Sequence, residues 1–366
     1  MGTLPADQQP MKVVTQTPAH LEAEYAPKRA HIIDVLDPLL NVNSKFTGFC
    51  SDPLSIVELS VLPCNQRRVF RAQYSLARSL YVAIDDVIQR WLQQGKITRD
   101  VPRGTIYNSP LLAAPKKDEH GKLTGVRVCI DVRLLNQYLV ENDRFALPRI
   151  PDLLSAFAGK SIFGEFDLSE AFTQFRLSPT SQPYTAFMWD DQQYMFVGCP
   201  YGIKHIPSLF QRYMAHLFRD MPFVFPYIDN IAFASSTWEE HERHALAIVH
   251  RLNSVNLKIK PSSVNLGNHE IKLLGHIINK SGIGIDPEKR DMILQWPRPL
   301  TGTELASALG LGSFLRDHIR GYADITAPLE RVKRQKDIDW ASDPTLDQSW
   351  QVIQTCFLYC AHSSFS

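Results

Sequence analysis

The 366-residue chain is too long for one ordinary core, so we expect two to four subdomains. Its 44% hydrophobic and 21% charged residues exclude an intrinsically disordered chain. The six cysteines form no CxxC pair, which favours reduced thiols over a disulfide framework or zinc site. No apolar run approaches the roughly 18 residues of a membrane span, and the N-terminus lacks a signal segment. We therefore expect no membrane association and a cytoplasmic protein, with a virus-like particle or the nucleus as alternatives.

The first half of the chain predicts an arm, a helix and a hairpin. Residues 1–60 are rich in Pro, Asn, Ser and Asp and predict a loosely packed arm with a short helix around 32–40. Apolar residues at helical spacing predict an amphipathic helix over 75–94, which ends at Gly95. Alternating apolar residues around a charged turn at 117–122 predict a β-hairpin within 109–135.

The second half predicts a mixture of strands and helices. A helix and a strand are expected within 149–168, a helix at 207–218, and two strands joined by a polar turn within 223–235. A second amphipathic helix follows at 239–257, on which His241, His244 and His250 are expected to face solvent. One strand is expected at 271–279, and the pattern is helical beyond 286. This arrangement predicts an α+β architecture.

Two acidic residues stand at similar places on predicted strands. Asp167 ends the apolar segment SIFGEFDL, and Asp229 lies in the turn of FPYIDNIAF. A carboxylate within apolar strands is costly unless it has a cation or a hydrogen-bond partner. A shared Mg²⁺ would resolve the repulsion between two such groups, whereas two structural aspartates that cap turns would need no cation. Spacing alone leaves both interpretations open.

The order of the surrounding motifs favours the metal site. FGEFDLSEAFTQFRL, YTAFMW, CPYGIKHIPSLFQRYM, PYIDNIAFASS, LKIKPSS and LLGHIINKSGIGIDPEKRDMILQWPRP follow one another along the chain. Upstream, LQQGKI, NSPLLAAPKK, VRVCIDVRLLN and ALPRIPDLLS precede them. Together they resemble the reverse transcriptases of gypsy-type LTR retrotransposons and their retroviral relatives, over roughly residue 60 to the C-terminus.

The resemblance implies a right-hand polymerase fold with an antiparallel palm sheet and a helical thumb. It assigns residues 1–60 to an arm from a polyprotein, 61–165 to the fingers with the first palm helix, and 166–280 to the palm. The thumb would occupy 281–345, and 346–366 would begin a connection region without a ribonuclease H domain.

The resemblance also implies roles for individual residues. Asp167 and Asp229 would bind Mg²⁺, or Mn²⁺ instead, and would form the catalytic set with Asn230. Phe172 would contact the incoming sugar and exclude a 2′-hydroxyl. The remaining implied contacts are with the nucleotide triphosphate (Lys117, with Lys116 beside it, and Arg127), the nucleotide itself (Tyr201 and Gly202), the template side (Gln211) and the primer end (Leu274, Gly275 and His276).

The sequence departs from the family signature at its second acidic site. The usual motif is aromatic-x-Asp-Asp, but this chain has Tyr227, Ile228, Asp229 and Asn230. Asn230 has the size of aspartate and keeps a neutral amide oxygen, but it removes one negative charge. The same resemblance shows Tyr201 in place of Phe or Gln, and two serines at 262–263 in place of a more basic stretch.

These observations support two main hypotheses. The first is an RNA- and DNA-directed DNA polymerase that extends a primer on a template duplex with dNTPs. The second is a reverse-transcriptase-like binding or scaffold protein with weakened or absent catalysis, which Asn230 and the net charge of +1 favour. A homodimer and polyprotein neighbours are further expected partners. A capsid-associated fragment of the polyprotein is a third alternative.

Overall fold

The computed structural model describes residues 19–62, 69–117, 123–140, 145, 148, 157, 159–273, 276–286, 291–292, 295–314, 316, 319, 321–359 and 363–364. Its helices are α1 (Ala19–Ser44), α2 (Tyr81–Gln93), α3 (Arg133–Tyr138), α4 (Ile206–Leu217), α5 (Trp238–Ser254), α6 (Gly302–Phe314), α7 (Tyr322–Val332) and α8 (Pro344–Tyr359). Its strands are β1 (Ile97–Thr98), β2 (Leu111–Lys117), β3 (Leu123–Ile130), β4 (Ile162–Leu168), β5 (Phe187–Trp189), β6 (Gln192–Phe196), β7 (Val224–Tyr227), β8 (Asn230–Ser235), β9 (Ile259–Asn268), β10 (Glu270–Leu273), β11 (His276–Asn279), β12 (Gly282–Ile285) and β13 (Ser363–Ser364).

A four-stranded antiparallel sheet in the order β7-β8-β4-β9 forms the centre of the chain. Side chains alternate between its two faces. Phe166 and Phe233 stack on one face, where they join the main core with residues of α1 and α5. The opposite face is apolar at one end, with Phe163 and Ala232 in a second core, and polar at the other. The mixture of antiparallel sheets and helices confirms the predicted α+β class.

Helix α1 is longer and better packed than the predicted arm. Ile32, Leu36 and Leu40 lie in the main core, and the helix packs against β9 and α5. Pro27 and Pro38 lie inside the helix, and they conceal its length because proline normally interrupts a helical pattern. The prediction of a loosely packed arm is therefore wrong for residues 19–44, because burial of the apolar stripe offsets the local cost of the prolines.

Helix α5 begins with a capping box, in which the Glu240 N–H donates to Thr237 Oγ1 at 3.2 Å. The prediction that its histidines face solvent is wrong for His241, which is fully buried. The Gly267 N–H donates to His241 Nε2 at 3.0 Å, so this nitrogen is unprotonated, and burial lowers the pKa of His241 to about 3. His244 is partly buried and stacks on Phe223, and only His250 is exposed.

Gly164 on β4 allows the ring of Phe233 to pack directly over the strand. A Cβ at this position would lie 2.4 Å from Phe233 Cζ and 3.1 Å from His241 Cε1. We expect Gly164→Ala to lower the free energy of unfolding by about 1–3 kcal/mol, because the rigid ring and the buried imidazole must shift. Urea unfolding measures the change. Gly125→Ala in strand β3 is the matched control, since a Cβ there meets nothing within 4 Å; equal effects of the two substitutions would contradict the packing argument.

The C-terminal helices have a core of their own. Leu305 of α6, Leu329 of α7 and Trp350 of α8 belong to one buried cluster. Strands β10 to β13 form a separate antiparallel sheet, and Ile271 and Ile278 of this sheet share a buried cluster with Phe163 of β4. The predicted boundary at residue 345 would fall inside α8, whose side chains pack with those of α6 and α7. The described residues thus place α8 with the preceding helices.

Candidate active site

The hairpin of β7 and β8 brings the two candidate aspartates to the polar end of the central sheet. Strand β8 pairs with β4 so that Asn230 lies opposite Asp167. The Leu168 N–H donates to the Asp229 carbonyl at 2.9 Å, which places the hairpin turn beside the end of β4. The structure thus brings together the two carboxylates that the sequence resemblance paired.

A buried glutamine holds the turn of this hairpin. The Ile228 N–H donates to Gln211 Oε1 at 2.6 Å, and Gln211 Nε2 donates to the Pro226 carbonyl at 2.7 Å. Ile228 has φ +51°, a left-handed conformation that costs a β-branched residue roughly 1–2 kcal/mol. Gln211 was expected on the template side, but its side chain is fully buried and contacts the hairpin. Its observed contacts are with the turn that carries Asp229, and its predicted support of the template side stays a prediction.

Burial and the nearby charge of Asp229 both disfavour the ionised form of Asp167, and a bound cation would stabilise it. Burial raises the pKa of Asp167 above its ordinary value, and the negative charge of Asp229 raises this pKa further. The Ser263 hydroxyl, the Lys260 ammonium and the Asn230 amide act in the opposite direction. A carboxylate whose ionised form is disfavoured by burial and by a like charge is stabilised when a cation binds.

The available oxygens fit a hard divalent cation. Asp167 and Asp229 share the polar end of the sheet, and Asn230 Oδ1 is buried without a hydrogen-bond partner among the described residues. The described part of the chain contains no group of three or more His, Cys, Asp or Glu side chains arranged to hold a metal. Mg²⁺ is typically held by one or two protein carboxylates together with substrate phosphates, so the carboxylates of Asp167 and Asp229 are sufficient.

Two aromatic rings, those of Phe172 and Tyr201, contact each other near this acidic pair. Phe172 and Tyr201 have ring centroids 5.3 Å apart, and Phe172 also packs edge-on against Phe210 at 5.5 Å. Phe172 follows Glu170, which has φ +46° and forms an ion pair with Lys96. This ion pair lies at the turn between β4 and the short helical segment that carries Phe172.

Tyr201 lies within electrostatic range of both Arg127 and Asp229. Burial raises the pKa of Tyr201 to about 12, with further contributions from the negative charges of Glu170 and Asp229, whereas Arg127 lowers it. Arg127 is exposed on β3, opposite Ala114 on β2. The phenol is therefore neutral at physiological pH and retains its hydrogen for donation.

The loop after Tyr201 is held by an asparagine of helix α3. Asn136 Nδ2 donates to the Gly202 carbonyl at 2.8 Å, and the Lys204 N–H donates to Asn136 Oδ1 at 3.0 Å. Gly202 has φ +96°, which other residues rarely adopt. The loop backbone is thus fixed beside the ring of Phe172.

The remaining predicted contacts are only partly described. Lys117 pairs with Leu123 in the hairpin of β2 and β3, but its side chain lies outside the described residues, as do Leu274 and Gly275. His276 begins β11, pairs with Leu273 and is 1% exposed. Contacts of these residues with a nucleotide or a primer stay predictions.

Sequence reasoning missed three polar residues on this face of the sheet. Glu165 precedes Asp167 by two positions on β4, and Ser263 and Asn265 lie on the neighbouring strand β9. Side chains two residues apart on a strand share a face, so the alternation within FGEFDL could have revealed Glu165. The residues of β9 carry no comparable sequence signal, because only strand pairing brings them to β4.

Comparisons with known proteins show which family and which fold the chain resembles. Residues 114–278 match the family model described as reverse transcriptase (RNA-dependent DNA polymerase). The Pol polyprotein of transposon 297 from Drosophila melanogaster is 30% identical over 274 residues, which are 74% of this chain and 26% of that polyprotein. The Tf2-7 transposon polyprotein of Schizosaccharomyces pombe is 29% identical over 287 residues, 78% of this chain and 21% of that protein. The chain thus spans about a quarter of these relatives.

Structural similarity extends over nearly the whole chain. A foamy viral protease–reverse transcriptase, solved in complex with an RNA/DNA hybrid, aligns with a TM-score of 0.73 at 21% sequence identity. The alignment covers 97% of this chain and 48% of that one. The fold is therefore that of a mixed α+β polymerase. Within that class, the chain carries a retrotransposon reverse transcriptase domain.

Membrane insertion through a helix finds no support in the described residues, where none of the helices combines the length and the apolar character that a bilayer requires.

Proposed function

We propose that this chain is an RNA- and DNA-directed DNA polymerase that extends a primer with dNTPs. The observation that carries the proposal is the pairing of β4 with β8, which places Asp167 and Asp229 at one end of the sheet. Sequence similarity to retrotransposon reverse transcriptases supports a DNA polymerase function in general terms. The metal-dependent mechanism and the roles of individual residues are the finer part of the proposal.

Asp167 and Asp229 are proposed to bind two divalent cations, Mg²⁺ or Mn²⁺. When bound, such ions supply Lewis-acid activation of the primer 3′-hydroxyl and neutralise charge on the leaving pyrophosphate. The chain contributes one carboxylate on strand β4, Asp167, and one in the turn between β7 and β8, Asp229. Asn230 contributes its amide N–H, which donates to Asp167 Oδ1 at 3.0 Å. Gln211 keeps the turn with Asp229 in place.

The nucleotide is proposed to lie between the hairpin of β2 and β3 and the aromatic pair of Phe172 and Tyr201. Arg127 is exposed and lies within electrostatic range of Tyr201, as a triphosphate-binding side chain requires. A guanidinium can bind phosphate oxygens in a bidentate manner, and Lys117 is proposed to add a second positive charge. In this arrangement the hairpin belongs to the fingers, the central sheet to the palm, and the C-terminal helices to the thumb.

Phe172 is proposed to exclude the 2′-hydroxyl of a ribonucleotide by contact. Phe172→Val removes the ring face and opens space beside Tyr201. We expect it to lower the ratio of kcat/KM for dTTP over UTP by about 10–200-fold, the range that one shape-selective contact provides. Single-nucleotide incorporation on a defined template measures the ratio. Phe223→Val, which removes a partly buried ring stacked on His244, is the control and should leave it unchanged. An unchanged ratio in Phe172→Val would remove the proposed role.

Primer extension by the purified wild-type chain tests the proposed function. A labelled DNA primer is annealed to an RNA or a DNA template and incubated with dNTPs and either Mg²⁺ or Mn²⁺. Extension on both templates is the expected result, and it should stop when the divalent cation is chelated. The absence of extension with either cation, by protein that is folded and binds the duplex, would overturn the proposal.

A second candidate function is duplex binding without catalysis. One observation favours it: the carboxylate of Asp167 already accepts hydrogen bonds from the side chains of Asn230 and Ser263. A binding protein would retain the cleft and the basic hairpin but would not incorporate nucleotides. Measurement of duplex affinity beside primer extension separates the two functions, because only the polymerase shows both.

A further inference from the structure

The amide of Asn230 bridges two carboxylates. Its Nδ2 donates to Asp167 Oδ1 at 3.0 Å and to Glu165 Oε2 at 3.2 Å. The second oxygen of Glu165 accepts from Asn265 Nδ2 at 2.6 Å. Both hydrogens of the Asn230 amide therefore have partners, and both oxygens of Glu165 are occupied.

Strand register produces this arrangement. Glu165 and Asp167 share one face of β4, and Asn230 lies directly opposite Asp167 on β8. Asn265 pairs with Glu165 on the other side, from β9. The partners therefore belong to three neighbouring strands, and their separations are set by backbone hydrogen bonds and not by flexible loops.

The chemistry of the three groups determines which residue fits at position 230. An ionised carboxylate only accepts hydrogen bonds, whereas an amide NH₂ donates two. With Glu165 and Asp167 as acceptors on the same face, position 230 must donate to both. A third carboxylate at this position would provide no donor and would place three negative charges side by side in a partly buried site.

We propose that Glu165 is a positioning residue of the active site and that its presence makes asparagine the fitting residue at position 230. This inference rests on the proposed polymerase function of Asp167 and Asp229. Glu165 and Asp167 together fix the Asn230 amide group so that Nδ2 faces the carboxylates. Oδ1 is thereby directed away from them, consistent with its lack of a partner among the described residues. Asn230 is then part of a matched set and not a decayed aspartate.

A two-by-two set of variants tests the inference. We compare wild type, Asn230→Asp, Glu165→Gln and the double variant in primer extension with Mg²⁺. Asn230→Asp alone is expected to lower kcat at least roughly tenfold, although it restores the family signature, because three carboxylates then meet. The double variant is expected to return kcat to within about threefold of wild type, because the glutamine amide can donate to the new carboxylate.

Thermal unfolding of the metal-free proteins provides a readout that does not depend on activity. The Tm of Asn230→Asp is expected to fall by roughly 2–4 °C, and the added Glu165→Gln substitution should restore it. The matched control is Asn41→Asp, because Asn41 Nδ2 also donates to a carboxylate, Asp37, but at an exposed site on α1. It should change neither kcat nor the Tm beyond experimental error.

Each outcome has a distinct meaning. Higher kcat in Asn230→Asp with Glu165 intact, or a double variant no better than Asn230→Asp in kcat and Tm, would overturn the inference. If the wild type shows no polymerase activity, the proposed function fails. The Tm values then still report whether residues 165 and 230 are coupled, and additive Tm changes would reject the inference by themselves.

Discussion

Asp229→Asn is expected to lower the rate of primer extension by about 10²–10³-fold while leaving the fold intact. The substitution preserves the size of the side chain and removes one of the two carboxylates proposed to bind divalent cations. Loss of electrostatic stabilisation in the transition state should therefore reduce kcat far more than it reduces the affinity for the duplex. Single-turnover primer extension with saturating dNTP measures the rate, and the melting temperature verifies folding.

The chain contains a closely matched control for this substitution. Asp190 also lies in a two-residue hairpin turn, between β5 and β6, and is exposed. Asp190→Asn removes the same charge from the same kind of turn, away from the candidate site. It should extend primers at the wild-type rate. Equal rates for wild type and Asp229→Asn would show that Asp229 does not have the proposed metal-binding role.

The second large effect concerns the buried amide of Gln211, which contacts the turn between β7 and β8. Gln211→Leu is expected to lower the free energy of unfolding by about 2–4 kcal/mol, because the Ile228 N–H and the Pro226 carbonyl both lose a buried partner. Released from this support, the turn can relax from the left-handed conformation of Ile228. The position of Asp229 then becomes less defined, and kcat should fall at an unchanged affinity for the template.

Denaturant unfolding and steady-state kinetics on a defined template measure the two effects separately. Gln93→Leu is the matched control, since Gln93 also lies on a helix, α2, but is exposed. It should leave both the stability and kcat close to wild type. A variant of Gln211 that keeps its stability and kcat but loses template affinity would instead support the template contact that the sequence resemblance implied.

Gln211 and Glu165 act on the two sides of the same hairpin. Gln211 binds the backbone of its turn, and Glu165 binds the side chain of Asn230 at the start of β8. The carboxylate of Asp229 is thereby presented by a turn that is held from both sides. Preorganised groups of this kind need little rearrangement during a reaction, which is the physical basis of electrostatic catalysis. The proposed polymerase therefore depends on neutral amides as well as on its two aspartates.

The amino-acid sequence by itself determined the class of fold and predicted the acidic pair of the candidate site. Local hydrophobic periodicity predicted the hairpin of β2 and β3 and the helices α4 and α5, because each depends on residues close together in the chain. The motif order placed Asp167 and Asp229 in one candidate site. Periodicity failed for α1, where two prolines interrupt the pattern but packing against β9 and α5 offsets their cost.

Only the tertiary structure decided how the polar residues around the aspartates are connected. In the sequence, Asn230 replaces the second aspartate of the family signature. In the sheet, its amide donates hydrogen bonds to Asp167 and Glu165. The sequence predicted support of the template side for Gln211, and the structure adds that its buried side chain contacts the turn. These relationships depend on the register between strands and on the burial of single side chains. Both arise from contacts between residues that are far apart in the chain, where no local pattern records them.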